Sequence, residues 1–307
     1  MTDLHWFWLA RGAGDVHKIT GFGCDATGRP STVRRMGLSS SGDLSLEREF
    51  EGLSTVVQYG PHPFSLPKPV RKQQMGHMIL EMPLLPGISI WEQLRVLTRF
   101  ERATVGWHLV RRLIQILEAS ELGDARPYDA DESILNLRML VQKATETESQ
   151  RATVHRVLAD VEQELRDLWR QLGTHRPAHG DFWFGNVLKD GNAFAVLDWE
   201  YYGYYPTPFF DHLTLITSSA VVLSPKGDGT LSRAVDWTTM SRALDDNEIP
   251  SLSRLLDRPQ KTLHALLLGT ALTLAARERD RQTDGNQLLW SELLTSIVMH
   301  LDQTKHN

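Results

Sequence analysis

A change of pattern at residues 83–87, Pro-Leu-Leu-Pro-Gly, constrains the fold of this chain more than any other feature. Before it, short runs of β-branched and aromatic residues predict strands at residues 19–24, 31–36 and 77–82. After it, apolar residues recur at helical spacing, most regularly over residues 154–172. This order predicts an α+β chain, in which a small β-rich N-terminal lobe precedes a larger, mainly helical C-terminal lobe.

The same patterns predict where the lobes divide and which helices they contain. We expect an N-terminal lobe at residues 1–82, a linker at 83–87 and a C-terminal lobe at 88–307. Leu46, Phe50 and Leu53 would share one face of a helix in the first lobe. Further helices are expected after the capping-box spacing of Ser89 and Glu92, and around the apolar residues of 105–117, 263–276 and 289–301.

Length, charge and cysteine content exclude several classes of protein. The 307 residues suit two closely packed lobes, and a net charge of -5 argues against a general nucleic-acid binder, which normally carries a basic surface. Cys24 is the only cysteine, so neither an intrachain disulfide nor a thiolate metal cluster can form. The N-terminus lacks the pattern of a signal peptide, and the apolar run at 263–276 is too short to cross a bilayer. We therefore expect a cytoplasmic protein without membrane partners.

The residues that carry chemistry lie in two short stretches, 178–188 and 195–200. The first contains His179, Asp181 and Asn186, and in the second an apolar run ends at Asp198. Phosphoryl transfer depends on positioning and on electrostatic stabilisation by metal ions that bridge the phosphates. Asn and Asp oxygens are hard ligands suited to magnesium, and a further carboxylate near the acceptor hydroxyl can take its proton. Asp181 supplies a carboxylate in a loop, Asn186 supplies an amide, and Asp198 supplies a second carboxylate. Together they match the groups that phosphoryl transfer requires.

The segment between Asn186 and Asp198 predicts a hairpin. Two short apolar runs, 186–188 and 193–197, flank the turn-forming residues Lys-Asp-Gly-Asn at 189–192. Such a hairpin would hold Asn186 and Asp198 on adjacent strands, where both could face one metal ion. A metallohydrolase would need additional His or carboxylate ligands, and the neighbouring sequence does not supply them.

The pattern HGDxxxxN, followed by an apolar strand and Asp-Trp-Glu, resembles the aminoglycoside phosphotransferase and choline kinase family, which has a bilobal protein-kinase-like fold. This resemblance implies that Asp181 is the catalytic base and that Asn186 and Asp198 are magnesium ligands. It also implies structural roles in the loop for His179 and for Asp211, which ends a Pro-Phe-Phe-Asp segment. The implied reaction transfers the γ-phosphoryl group of ATP or GTP, with Mg²⁺, to a hydroxyl group of a small molecule.

The resemblance extends to the nucleotide-binding residues of the N-terminal lobe. Either Arg34 or Arg35 would hold the phosphates, since alternation along a strand points them to opposite faces. Arg34 is favoured because it follows the apolar Val33, and Glu49 would then pair with it. The remaining nucleotide contacts would come from the backbone of the linker region and from a glycine-bearing turn over the phosphates, at Glu81, Met82, Gly12 and Gly14.

The sequence does not identify the acceptor. Glu200, Tyr201 and Tyr202 follow the metal-binding Asp and are candidates for substrate contacts. The tyrosines would stack on a sugar or a quaternary ammonium, or pack beneath the loop. Residues 118–132 carry six acidic residues and one arginine, which would form either a wall that attracts a cationic substrate or a solvated linker. Antibiotics, sugars, amino alcohols and amino acids stay open as acceptors.

One alternative keeps the fold without the reaction, as a non-catalytic nucleotide-binding regulatory protein. The presence of Asp181, Asn186 and Asp198 argues against it, because a protein that only binds nucleotide has no chemical need for all three. A protein side chain as acceptor is disfavoured because no long activation segment separates Asp198 from Asp211. The sequence carries no prediction of oligomeric state.

Overall fold

The N-terminal lobe is built on one antiparallel sheet. The computed structural model describes residues 5–13, 16–223, 260–280 and 289–303. The sheet consists of β1 (His5–Ala13), β2 (Val16–Cys24), β3 (Pro30–Gly37), β4 (Val70–Gln74) and β5 (His77–Pro83). These five strands lie in the order β1-β2-β3-β5-β4. The strands predicted at 19–24, 31–36 and 77–82 are confirmed as parts of β2, β3 and β5.

A tight turn joins β2 to β3. The Asp25 carboxylate accepts hydrogen bonds from the backbone N–H groups of Thr27 at 2.8 Å and Arg29 at 3.0 Å. Gly28 has a φ of 79°, a conformation that glycine adopts without steric cost. The turn-forming residues 25–30 predict a hairpin between these two strands. The antiparallel pairing of β2 with β3 confirms it.

Strand β1 is an element that the sequence pattern does not predict. The pattern favours a glycine-bearing turn at residues 11–14, whereas β1 continues through Gly12, which pairs with His17 of β2. Trp8 lies across Gly21, where an added Cβ would stand only 2.9 Å from the indole. An aromatic ring can therefore pack flat on the sheet because Gly21 has no side chain, and periodicity alone does not reveal such a contact.

Helix α1 (Ser40–Gln58) packs on the sheet of the N-terminal lobe. Ser39 caps the helix by accepting a hydrogen bond from the N–H of Gly42 at 3.1 Å. Leu46 and Leu53 are fully buried, as the apolar spacing predicts, whereas the predicted Phe50 is only partly buried. Val56, on the same helix, is fully buried as well. Helix α1 therefore turns its apolar face toward the sheet. This fixes the rotation of the helix about its axis, and with it the directions in which its other side chains point.

The C-terminal lobe consists mainly of helices. Its described helices are α2 (Ile90–Arg95), α3 (Arg99–Glu118), α4 (Ala130–Ala144), α5 (Glu148–Leu172), α6 (Phe210–Leu223), α7 (Gln260–Asp280) and α8 (Leu289–Gln303). Ser89 caps α2 as predicted, and Thr98 and Thr147 begin α3 and α5 with complete capping boxes. The apolar stripe of α5 is buried, whereas Val105 at the start of the predicted α3 stripe is 43% exposed.

Short strands complete the C-terminal lobe near the functional loop. Strand β6 (Ile88–Ser89) pairs with β9 (Val187–Asp190), and β9 forms the predicted hairpin with β10 (Ala193–Val196). A separate pair joins β7 (Arg126–Pro127) to β8 (Thr174–His175). The predicted α+β architecture, a small β-rich lobe and a larger helical lobe, is confirmed. Within the described ranges, no helix has both the length and the apolar character needed to cross a membrane.

Candidate active site

The loop that carries Asp181 is held by a fully buried histidine. His179 is 0% exposed, its Nε2 lies 2.8 Å from the carbonyl oxygen of Leu197, and its Nδ1 accepts a hydrogen bond from the N–H of Asp181 at 3.1 Å. A neutral imidazole with its proton on Nε2 satisfies both partners. Burial lowers the pKa of His179 to about 4, with the Leu197 carbonyl acting in the opposite direction. His179 is therefore placed to shape the loop rather than to carry a proton.

Asp211 holds the same loop from the first turn of α6. Its carboxylate accepts hydrogen bonds from the N–H of His179 at 2.6 Å and the N–H of Gly180 at 2.9 Å. Burial raises the pKa of Asp211 to about 6, and the two backbone donors oppose that rise. Gly180 has a φ of 88°, and a Cβ there would collide with the Tyr205 hydroxyl and the Tyr201 carbonyl. These contacts agree with the loop-structural positions expected for His179 and Asp211, whose roles stay predictions.

Asp181 and Asn186 are brought together by a short 3₁₀ helix at Phe184–Asn186. The Asn186 amide donates hydrogen bonds to the Asp181 carboxylate at 3.0 Å and to the Asp181 carbonyl at 2.8 Å. The Asn186 carbonyl in turn accepts from the N–H of Leu197 at 2.9 Å. The hairpin therefore places Asn186 beside the residue that precedes Asp198, as the sequence predicts.

Asp198 has the features expected of a metal ligand. Its φ of 64° is unusual for a residue other than glycine, and such conformations concentrate at functional sites. Its Oδ1 atom is buried without a hydrogen-bond partner in the described part of the chain, and a guanidinium nitrogen of Arg35 lies 3.9 Å away. A buried carboxylate oxygen without a hydrogen bond is costly unless a cation satisfies it. The described residues contain no cluster of three or more His, Cys, Asp or Glu side chains suited to a metal, so the fit rests on Asp198 with Asn186.

The cation that faces this site is Arg35. It forms an ion pair with Glu49 of α1, which is 1% exposed. The prediction that Glu49 pairs with Arg34 is wrong, because the Arg34 side chain lies on the opposite face of β3. There it contacts Glu81 at 2.6 Å and covers the ring of Trp6 at 4.1 Å. Strand alternation separates the two arginines as expected, but the preceding apolar residue does not indicate which one faces the cleft.

Burial and the Arg35 charge act on Glu49 in opposite directions. Burial raises the pKa of Glu49, and the guanidinium of Arg35 offsets part of that rise. The neighbouring Asp198 carboxylate raises the pKa further. Glu49 and Asp198 thus compete for the positive charge of Arg35. A metal ion next to Asp198 would reduce this competition, because it would neutralise the Asp198 carboxylate.

Lys18 is a functional candidate that the sequence analysis misses. Its ammonium group contacts Glu200 at 3.1 Å and the Ser45 hydroxyl of α1 at 2.7 Å. Strand alternation places Lys18 and Thr20 on one face of β2, and Thr20 pairs with Arg35. This pairing would have indicated that Lys18 lies on the same side of the sheet as Arg35. Glu200, a predicted substrate contact, is only 8% exposed and lies in this contact between the lobes. Its role toward a substrate stays a prediction.

The tyrosines after Asp198 are used within the protein. Tyr202 donates a hydrogen bond to the carbonyl of Leu122 at 2.7 Å. The ring of Tyr201 is covered by the guanidinium of Arg277 at 4.2 Å, and Tyr205 donates to the Tyr201 carbonyl. Arg277 belongs to α7 and has no signal in the motif region, so sequence reasoning does not find it. Both predicted tyrosines are placed for packing beneath the loop, the second of the two interpretations.

The remaining predicted nucleotide contacts lie on the strands of the N-terminal lobe. Met82 of β5 pairs with Val33 of β3, and the Glu81 carboxylate binds Arg34 and also Lys72 at 2.7 Å. Gly12 lies at the end of β1, whereas Gly14 lies outside the described residues.

The acidic residues of 118–132 are largely used in local structure. Asp129 caps α4, Asp131 pairs with Arg166, and Asp124 accepts a hydrogen bond from Tyr59 at 2.8 Å. These contacts favour the interpretation of residues 118–132 as a solvated linker over that of an acidic wall that attracts a cationic substrate.

The chain matches the model of the phosphotransferase enzyme family over residues 33–221. The matched region is more than half of the chain and contains Arg35, Glu49, Asp181 and Asp198. Among curated proteins, no sequence matches the chain significantly.

Solved structures of small-molecule kinases are similar in fold. Aminoglycoside 2'-phosphotransferase-IIIa in complex with GDP shares 12% identity at a TM-score of 0.56, and the match covers 99% of this chain and 94% of that chain. The GDP and kanamycin complex of APH(2")-IIia shares 14% identity at a TM-score of 0.52, with 99% and 93% covered. Glucosamine kinase in complex with glucosamine, ADP and inorganic phosphate shares 14% identity at a TM-score of 0.51, with 98% and 83% covered. The similarity in fold and the family match agree, and the chain belongs to the phosphotransferase enzyme family and is itself a phosphotransferase.

Proposed function

We propose that this protein transfers the γ-phosphoryl group of magnesium-bound ATP or GTP to a hydroxyl group of a small molecule. The observation that carries the proposal is the arrangement of Asp181, Asn186 and Asp198 around one hairpin. Asp181 is bonded to Asn186, and Asn186 lies beside the strand that leads to the buried oxygen of Asp198. A proton acceptor thus lies next to the oxygens that can hold a metal.

Asp181 acts as the base in this proposal. Its carboxylate takes the proton of the acceptor hydroxyl while the hydroxyl oxygen forms a bond to the γ-phosphorus. The bond between this phosphorus and the bridging oxygen breaks, and the nucleoside diphosphate leaves with the electron pair of that bond. The hydrogen bond from Asn186 at 3.0 Å orients the carboxylate. Asp211 and His179 fix the backbone that carries it.

Asn186 and Asp198 would hold Mg²⁺. The buried Oδ1 of Asp198, which has no hydrogen-bond partner among the described residues, supports this assignment. When bound, the ion neutralises negative charge on the phosphates and on the group being transferred.

The phosphates would be held by Arg35 rather than Arg34. Arg35 is paired with Glu49 and faces Asp198, whereas Arg34 is occupied by Glu81 on the other face of the sheet. Val33 lies two residues before Arg35 and therefore on the same face, opposite Met82. The nucleotide base would lie against these apolar residues at the linker end of the cleft.

The acceptor is tested with a defined panel. The similar solved proteins are described with kanamycin and with glucosamine, so amino sugars are the first acceptors to examine. The measurement is nucleoside diphosphate release with Mg-ATP and with Mg-GTP, in the presence of kanamycin, spectinomycin, glucosamine, choline, ethanolamine or homoserine. Release that depends on one acceptor, with phosphate found on that acceptor, supports the proposal. Nucleotide binding without transfer to any acceptor would favour the non-catalytic nucleotide-binding protein.

A further inference from the structure

Arg277 of α7 makes an unusual set of contacts at the catalytic loop. Its guanidinium donates hydrogen bonds to the carbonyl of Gly180 and to the hydroxyl of Tyr205. Gly180 directly precedes Asp181. Arg277 is outside residues 33–221, which the family model matches, so the family match assigns it no role.

The guanidinium lies among aromatic rings. Its central carbon is 4.2 Å from the ring centre of Tyr201, 4.8 Å from that of Tyr205 and 5.5 Å from that of Phe210. Tyr205 and Phe210 stack on each other at 4.0 Å and are nearly parallel. A planar cation is attracted to such ring faces, and arginine binds them more effectively than lysine does. The three rings therefore form an aromatic cage that is matched to a guanidinium.

Both peptide groups that flank the Gly180 Cα atom are held by a side chain. Its N–H donates to Asp211 at 2.9 Å, and its carbonyl accepts from Arg277. The Tyr205 hydroxyl accepts from Arg277 and donates to the Tyr201 carbonyl, so the cage is tied to the backbone that follows Asp198. The Asp211 carboxylate of α6 and the Arg277 guanidinium of α7 therefore hold the two successive peptide groups on either side of the Gly180 Cα atom.

We propose that Arg277 is a positioning residue for phosphoryl transfer, which holds the Gly180 carbonyl and thereby sets the position of the Asp181 carboxylate. This inference rests on the proposed function. It also means that the cage of Tyr201, Tyr205 and Phe210 is filled by the protein's own cation, so a quaternary ammonium acceptor would have to bind elsewhere.

The test compares Arg277→Ala with a matched control from the same helix. Arg279→Ala removes an arginine that lies two residues later and bonds to Ala144 and Glu146, away from the catalytic loop. We expect Arg277→Ala to lower kcat about 100-fold, since displacement of a catalytic group by about 1 Å has effects of that size, while the nucleotide KM changes by no more than about twofold. Arg279→Ala should keep the kcat of the wild type.

Added guanidinium chloride at millimolar concentration provides the readout that a merely structural role would not give. It should refill the cage of Arg277→Ala and raise its kcat by about tenfold, with no effect on the wild type or on Arg279→Ala. Ethylammonium, which lacks the planar fork, should fail. Arg277→Ala with undiminished kcat, or with a loss that guanidinium does not reverse, would overturn the proposal. If Arg277→Ala does not fold, Tyr205→Phe keeps the ring and removes the bonded hydroxyl, and it must then lower kcat about tenfold.

Amide hydrogen exchange of the peptide that contains residues 178–186 separates this proposal from the proposed function. If the wild type transfers phosphate to none of the tested acceptors, the proposed function fails but the exchange measurement still decides the role of Arg277. Faster exchange at Asp181, whose N–H shares a peptide group with the Gly180 carbonyl, supports positioning of the loop by Arg277 if it occurs in Arg277→Ala and guanidinium reverses it. Exchange equal to that of the wild type would overturn it.

Discussion

At the scale of single residues, the choice between two adjacent arginines decides how the nucleotide would be held. Arg35 faces Glu49 and Asp198, whereas Arg34 bonds to Glu81 on the other face of β3. We expect Arg35→Ala to raise the KM for the nucleotide by about 10- to 100-fold, because charge-assisted hydrogen bonds to phosphate contribute roughly 1.5–3 kcal/mol. Arg34→Ala is the matched control and should change that KM by no more than about twofold. Steady-state kinetics well below the melting temperature of each variant check this, and equal effects of the two substitutions would contradict the assignment.

The buried histidine of the loop predicts a pH dependence of stability. The pKa of His179 is about 4 in the folded protein and 6.5 in an ordinary setting, so the unfolded chain binds the extra proton first. The contribution of the neutral, buried His179 to the free energy of unfolding is fully present above pH 6.5. It is lost as the pH falls toward 4, by at most about 1.4 kcal/mol per pH unit. Asp211, with a raised pKa of about 6, acts in the opposite direction, so the wild-type curve alone does not isolate the histidine.

His179→Gln isolates it, because a carboxamide can donate to the Leu197 carbonyl and accept from the N–H of Asp181 without titrating. The free energy of unfolding of each protein is measured by chemical denaturation. As the pH falls from about 6.5 to 4, the wild type should lose stability relative to His179→Gln. A pH-independent difference would mean that His179 does not titrate on unfolding as described.

At the scale of elements, α1 is packed directly against the segment that follows Asp198. A Cβ on Gly52 would stand 2.5 Å from the Trp199 carbonyl oxygen and 2.9 Å from the Cβ of Tyr202. Gly52→Ala should therefore destabilise the protein and lower turnover, although alanine is the better helix former by about 1 kcal/mol. Gly203→Ala is the control, since no atom of the described residues, its two chain neighbours aside, lies within 4 Å of its added Cβ. A more stable Gly52→Ala protein would show that helix propensity outweighs the close contact.

The elements also show what the sequence could and could not predict. The hairpin that carries Asn186 and Asp198 follows from a local turn and two apolar runs, and the capping residue of α2 follows from spacing alone. Strand β1 does not, because Trp8 packs over Gly21 through a contact between strands rather than through a pattern within one. Arg277 is hidden for the same reason, since its partners lie about 70 to 100 residues away in the chain.

At the scale of the whole molecule, the proposed nucleotide site joins the two lobes. Arg35 and Lys18 approach from the sheet, and Asp198 and Glu200 come from the helical lobe. A ligand that binds only the folded protein stabilises it by mass action, so nucleotide should raise the Tm more with Mg²⁺ than with a chelator. Asp198→Asn should lose this difference, whereas Asp190→Asn, at the exposed end of β9, should keep it. An undiminished magnesium effect in Asp198→Asn would contradict its assignment as a ligand.

The most direct test of the central claim is the rate of phosphoryl transfer by Asp181→Asn, measured beside its nucleotide affinity. The substitution preserves the size of the side chain and removes the proton acceptor, so kcat should fall about 10²- to 10⁴-fold while the Kd for Mg-nucleotide stays within about twofold of the wild type. Asp190→Asn, on the hairpin that follows the Asp181 loop, serves as the control for loss of a nearby carboxylate and should be fully active. Transfer by Asp181→Asn at the wild-type rate would show that Asp181 is not the base and that the proposed site is wrong.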